Sequence, residues 1–214
     1  VKLKIVALIV TVSFIYACDS PNTVTKINTD GSKVVKYFKD NKNSLNYIRE
    51  YYYPNGKLGT TGQFQNGKME GKWTWYYENG YKKDEANLTE GMYNKIRTHW
   101  HRNGKLKTVE EIKIPCSKEC CDGTVFHYDS LGILTQKNHI KNGLINDTLT
   151  YYYPNGDIFK KSVYKDDKRN GYYIEYHKNG NKWVEGEFLN GNMKGEWKWF
   201  DTLGVIERIE YANE

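Results

Sequence analysis

Apolar residues are scarce in this chain of 214 residues: they make up 38% of it, and the mean hydropathy is −0.81. That is too little for a thick two-layer core, which argues against a compact α/β enzyme. Basic blocks are missing as well. The 32 Lys and Arg are scattered among 26 Asp and Glu, and the formal charge of +6 drops to about +4 once Lys2 and Lys4 are set apart. So mild and dispersed an excess argues against nucleic acid as a partner. No Ser–His–Asp order, glycine-rich phosphate loop or close carboxylate pair stands out, so the sequence offers no catalytic residue, no cofactor and no ground for an enzyme. What is abundant is aromatic: 19 Tyr, 6 Trp and 7 Phe. Such residues favour strands and can cover a sheet face while a polar edge stays wet. The expectation is an all-β, quasi-one-dimensional protein.

The front of the chain has its own composition. Lys2 and Lys4 precede the apolar run Ile5 to Tyr16, which is about half the length a bilayer-spanning helix needs and reads as an export signal over residues 1–17. Its end, Ile15-Tyr16-Ala17-Cys18, resembles the lipobox of bacterial lipoproteins. The resemblance implies that Cys18 becomes the acylated first residue, with residues 18–30 as a polar tether. Membrane attachment through that lipid, in the cell envelope and at the outer membrane, is the expected location.

From residue 31 onward the chain repeats. Turn glycines fall at Gly56, Gly80, Gly104, Gly132, Gly156, Gly180 and Gly204, in steps of 24 residues broken by one step of 28. A fixed period of this length declares a stack of one supersecondary unit. Counting each glycine as zero, position minus four is aromatic throughout: Tyr52, Tyr76, Trp100, Tyr128, Tyr152, Tyr176 and Phe200. Position plus eight is apolar, as in Phe64, Leu88 and Phe188, and position plus two is mostly aliphatic, as in Leu58 and Ile158. A second glycine at plus eleven (Gly67, Gly91, Gly143, Gly191) marks a second turn. A third, nine before the next zero (Gly71, Gly123, Gly171, Gly195), is expected just ahead of the returning strand. The fold class is therefore all-β: an elongated antiparallel meander of stacked β-hairpins in a single-layer twisted sheet over 31–214, with residues 31–55 as a degenerate first unit.

Pro54 and Pro154, two residues before their turn glycines, have no N–H for a two-residue hairpin. They fit a type I turn with Pro second, Asn third and Gly left-handed, followed by a G1 bulge. That geometry sets minus four opposite plus two, pairing Tyr52 with Leu58 and Tyr152 with Ile158. Plus eight is expected on the same face, which is taken as the core face. Positions minus three, minus five and minus seven are left for the other face, with Trp73, Trp75, Tyr77, Trp197 and Trp199 among them. Either these rings pack on one another, or they form a binding face with those five as anchors, for a protein or, by flat stacking, a glycan.

The long step contains an insertion over 115–123 with Cys116, Cys120 and Cys121. In an exported protein these are disulfide candidates, Cys116 pairing with Cys120 or Cys121. A zinc site would need a fourth ligand, and His127, the nearest, lies on a strand. His99 and His101 share a strand face without converging, so no metal site is expected.

The stretches Gly67-Lys68-Met69-Glu70-Gly71-Lys72-Trp73-Thr74-Trp75-Tyr76-Tyr77-Glu78-Asn79-Gly80 and Gly191-Asn192-Met193-Lys194-Gly195-Glu196-Trp197-Lys198-Trp199-Phe200 resemble the bacterial variant of the MORN repeat. The resemblance implies a stack of hairpins used as a non-enzymatic scaffold, with no catalytic residues to carry over. A lipid-anchored scaffold binding a protein partner is the expected function. An antitoxin or immunity-type protein against an envelope-acting toxin is the alternative, and a glycan-binding module the lesser one.

Overall fold

A computed structural model describes residues 22–39, 44–113 and 122–212. They form β1 (Thr23–Ile27), β2 (Lys33–Phe38), β3 (Tyr47–Tyr52), β4 (Leu58–Gln65), β5 (Lys68–Tyr76), β6 (Lys82–Thr89), β7 (Met92–Trp100) and β8 (Leu106–Ile112). The series continues as β9 (Gly123–Tyr128), β10 (Leu134–Lys141), β11 (Leu144–Tyr152), β12 (Ile158–Lys165), β13 (Lys168–Tyr176), β14 (Lys182–Leu189), β15 (Asn192–Phe200) and β16 (Ile206–Ala212). All sixteen belong to one open antiparallel sheet whose strands neighbour each other in chain order. At ~4.8 Å per strand the sheet is roughly 70 Å along its stacking direction. One boundary differs from the sequence expectation. β1 pairs with β2 from Thr23↔Tyr37 to Ile27↔Lys33, so the sheet reaches into the stretch expected to be a tether. The reason is local: Asn28 to Ser32, with Gly31 at positive φ, forms one more turn of the repeating kind and folds Thr23–Ile27 back as a strand.

Two turn types alternate along the two rims. At Tyr53-Pro54-Asn55-Gly56, the Gly56 N–H donates to the Tyr53 carbonyl at 2.9 Å, and the Tyr53 N–H donates to the Lys57 carbonyl at 2.9 Å. Gly56 sits at φ 79°. This is the type I turn and G1 bulge that the prolines require. On the opposite rim Asn66 and Gly67 both have positive φ, the mark of a two-residue type I′ hairpin, and Glu90-Gly91, Asn142-Gly143, Asp166-Asp167 and Asn190-Gly191 repeat it.

A second bulge, just beyond the turn, decides which residues share a face. Tyr52 pairs with Leu58 as the turn geometry demands, but Tyr51 then pairs with Thr60, so Gly59 is an extra residue in the ladder. One extra residue flips everything beyond it. Plus four, plus six and plus eight therefore join minus three, minus five and minus seven, and the face assignment expected from sequence is overturned. Phe64 meets Trp73 edge-on at 5.2 Å and Phe188 meets Trp197 at 5.0 Å. The better-packed face, here the inner face, is the one with the tryptophans; the minus-four aromatics lie half-buried on the other. A further irregularity sits inside β5, β7, β11, β13 and β15. Opposite Gly62, three residues (Gly71, Lys72, Trp73) take the place of one, and Gly71 is at φ 67°. Gly171 and Gly195 occupy the same place, as do Lys95 and Asp147 at positive φ, so at Gly71, Gly171 and Gly195 the third glycine marks a bulge within the strand, while Gly123 opens β9 as expected.

Packing on the inner face works by alternating large and small. Along the row Gly62–Trp73–Ala86 the indole of Trp73 lies over the Gly62 backbone, and Trp73 is only 1% exposed. Trp197 lies over Gly186 in the same way, at 3%. A Cβ at Gly62 would stand 2.1 Å from the Trp73 ring, and one at Gly186 2.3 Å from that of Trp197.

The rims are laced from one hairpin to the next. Tyr53 Oη donates to the Tyr76 carbonyl (2.7 Å), Tyr77 Oη to Trp100 (2.8 Å) and Tyr153 Oη to Tyr176 (2.7 Å). His101 and His177 do the same through Nε2, to Tyr128 at 3.1 Å and Phe200 at 3.0 Å. Asn55, Asn79, Asn103 and Asn179 add amide rungs to the following turn. The ladder is broken once between Gly56 and Gly204. After Gly132 the rung positions hold Asp129 and Leu131, and Asp129 accepts N–H groups of its own turn from Leu131 and Ile133. Among the described residues no side chain joins that turn to the one at Gly156. Gly62→Ala and Gly186→Ala are each expected to lower stability by about 1–3 kcal/mol, since a Cβ there overpacks a ring that cannot retreat. Urea unfolding measures this, and Gly71→Ala in parallel separates backbone strain from ring displacement.

Candidate binding face

The inner face has three zones. At the N-terminal end Tyr47 stacks on Phe64 at 4.8 Å, and Phe64, Trp73 and Trp75 continue the cluster over Ala86 and Leu88. At the C-terminal end Tyr173, Phe188, Trp197 and Trp199 repeat the arrangement around Val184. Between them, across β6 to β10, the small and aromatic residues give way to Asp84, Arg97, His99, Glu110, His127 and Asn138.

The five aromatic anchor candidates do not stand alike. Trp73 and Trp197 are buried and belong to packing, because each has a glycine beneath it and an aromatic ring at its edge. Trp75 and Trp199 are half-buried; each lies tilted against its buried neighbour, at 5.9 and 6.1 Å. The Arg208 guanidinium lies 3.9 Å from the Trp199 ring centre. Tyr77 is half-buried and is a rung of the rim ladder, with the Arg102 guanidinium 5.4 Å from its ring centre. Cys18, Cys116, Cys120 and Cys121 lie outside the described residues.

The polar middle zone escapes a reading from sequence. Asp84 and His99 pair across β6 and β7, and Asp84 bonds Nδ1 of the His99 ring while Glu110 meets Nε2 at 3.2 Å. Arg97 reaches the other Glu110 oxygen at 3.8 Å, and His127 Nε2 meets Asn138 Oδ1 at 3.2 Å. Burial works against charge on His99, but the bonds to Asp84 and Glu110 outweigh it and raise its pKa above the usual histidine value. Burial likewise opposes charge on Asp84 and Glu110, and their bonds to His99 outweigh it, so both pKa values fall. The carboxylates sit on opposite nitrogens of one ring, an arrangement that holds an imidazolium in place rather than focusing on an ion. Among the described residues no three His, Cys, Asp or Glu converge as metal ligands. The signal for this zone was the plus-six column, which runs Gly62, Ala86, Glu110, Asn138, Ser162, Gly186. Two polar side chains of larger size interrupt a run of small residues.

The family model of the MORN repeat variant matches residues 48–66, 69–87, 148–166 and 169–190. Each match covers strand, turn and strand. Apart from Asp84, the polar zone lies in the unmatched stretch between the second and third matches, where Arg97, His99 and His127 stand at the places of the inner-face aromatics. No curated protein matches the chain.

The His99 cluster gives stability a defined pH dependence. The raised His99 pKa contributes stability that is full below its unfolded value of about 6.5 and is lost as pH rises through the folded value. The lowered Asp84 and Glu110 contribute above the usual carboxylate range and lose that as pH falls through it. The Tm advantage of the native chain over His99→Gln is therefore expected to be largest near pH 6 and to shrink as the pH is raised past the unfolded histidine value and through the higher folded one. Thermal melts across that range check it, and a constant difference would remove the charge from the account.

Proposed function

We propose that this chain, a repeat protein of the MORN variant, is a non-enzymatic scaffold anchored in the cell envelope by lipid at Cys18, holding a protein partner on the inner face of its sheet. The observation that carries the reading is the placement of Trp75 and Trp199. Each is a half-buried indole tilted against a buried tryptophan, and the two stand on β5 and β15, ten strands apart in a ribbon of sixteen. Rigid, partly exposed aromatics of this kind dominate interface energetics, because little conformational freedom is lost when a partner covers them. The anchor is supported by the order of Lys2 and Lys4, the apolar run and Ala17-Cys18. Acylation would suit a stack of this shape, since each buried CH₂ adds roughly 0.8 kcal/mol of membrane affinity and leaves both sheet faces free.

Two experiments test the two halves. Cys18→Ser is expected to move the protein from the detergent phase to the aqueous phase on phase partitioning; retention in detergent would remove the lipid anchor. Trp75→Ser and Trp199→Ser are each expected to reduce crosslinking to envelope proteins in intact cells by about tenfold, the size of a typical interface anchor, with circular dichroism unchanged. Trp73→Ser serves as the contrast, since loss of that buried ring costs the fold itself. Full crosslinking by both surface variants would remove the inner face from the reading.

A further inference from the structure

Away from its N-terminal end, the inner face gives Arg97, His99, Lys160 and Arg208 a carboxylate, and Arg169 the Tyr164 hydroxyl at 3.3 Å and the Phe188 ring. In the middle zone Arg97 and His99 meet Glu110 and Asp84. Toward the C-terminus Lys160 meets Glu175 at 3.9 Å and Arg208 meets Glu210 at 2.9 Å. Over β1 to β4 the same face holds Lys26, Lys36 and Arg49 and no carboxylate. Arg49 is half-buried and, among the described residues, has no hydrogen-bonding or ionic partner. It stands directly opposite Lys36 in the β2–β3 register. Like charges placed opposite each other across a strand pair are destabilising. A sequence that supplies a carboxylate to most of its other inner-face cations leaves this pair opposed, and local rules are broken in this way at functional sites.

The space around the pair is a groove of about 680 Å³, with Val24, Val34, Phe38, Tyr47 and Phe64 among its walls. Arg49 also borders a second groove of about 640 Å³ that runs on past Trp75 toward Tyr93. Both grooves are open depressions, and Arg49 lines the two of them. The walls near Arg49 are mostly apolar side chains and cations, with few neutral hydrogen-bonding groups of the kind that sugar hydroxyls would need.

We infer that the Lys36–Arg49 groove receives an acidic, apolar-rich segment of a protein partner, its carboxylates on Arg49 and Lys36 and its apolar side chains against Tyr47, Phe64 and Trp75. Arg49 is suited to this by its planar fork, which takes a carboxylate in two parallel hydrogen bonds, and the apolar walls strengthen that contact by excluding water. The occupied groove relieves the Lys36–Arg49 repulsion, so part of the binding free energy comes from a cost already present in the free protein. The inference rests on the preceding reading only for the partner being a protein.

The test uses the full-length chain in neutral detergent with a fluorescent random copolymer of glutamate and tyrosine as probe, read by anisotropy. Arg49→Gln and Lys36→Gln are each expected to weaken binding by about tenfold, a single charge-assisted anchor's worth. Lys141→Gln, which removes the same charge at an exposed position at the end of β10, is expected to change it by under about twofold. Arg49→Gln should not lower Tm, since it removes a like-charge neighbour, whereas Lys36→Gln also gives up the ammonium's place 4.7 Å from the Tyr47 ring centre. Equal weakening in all three variants means general charge attraction and overturns the inference. So does displacement of the probe by polygalacturonate or by a short-chain phosphatidylglycerol at equal charge, which would make the groove a sugar or lipid site. Crosslinking in cells separates this result from the scaffold reading. Arg49→Gln with full partner capture, while Trp75→Ser loses it, sinks the groove alone; no capture by the native chain sinks the scaffold.

Discussion

One residue per hairpin governs this fold. The position three after each turn glycine has no partner across the ladder, and its presence turns the rest of its strand over. Without it the plus-eight side chains would face away from the tryptophans, and neither face would hold enough apolar surface to resist water in a sheet of single thickness. With it, Phe64 and Phe188 reach the edges of Trp73 and Trp197 and close the small clusters that serve as a core. The turn itself carries a separate G1 bulge, whose left-handed backbone needs Gly56 and its counterparts, and Pro54 is tolerated because the turn asks nothing of its nitrogen.

How far the fold was legible in the sequence follows from this. The turn glycines, their spacing and the aromatic column at minus four were visible, and they are enough to specify hairpins in series. The turn type was legible from Pro54 and Pro154, and with it the pairing of Tyr52 with Leu58. The face is not legible, because it is inverted by a second bulge, at Gly59 and its counterparts, that the turn residues do not announce. β1 was missed because Thr23–Ile27 is short and mostly polar, and only the return at Asn28 to Ser32 makes a strand of it.

The candidate face divides in the same manner. Periodicity finds columns of like residues, so it found Trp75 and Trp199 together with the buried pair beneath them and could not tell them apart. The distinguishing fact lies on a neighbouring strand, at Gly62 and Gly186, where absence of a side chain makes room for one indole and not for its partner. The charged groups were less visible still. Asp84, His99 and Glu110 come from three strands and meet only in the register, while Lys36 and Arg49 are ordinary surface residues until pairing sets them face to face.

The gap in the rim ladder after Gly132 has a mechanical meaning. A pull between the two ends of the ribbon loads its strands one after another, as a zipper is loaded, and each side-chain rung is a stitch that must fail before the next hairpin peels. Where Asp129 and Leu131 replace the stitching residues, the seam between β10 and β11 is held by its backbone bonds alone on that rim. Under tension the sheet parts there first, giving two shorter ribbons, each with one of the aromatic clusters intact. A protein built this way lengthens in two stages rather than unravelling from an end.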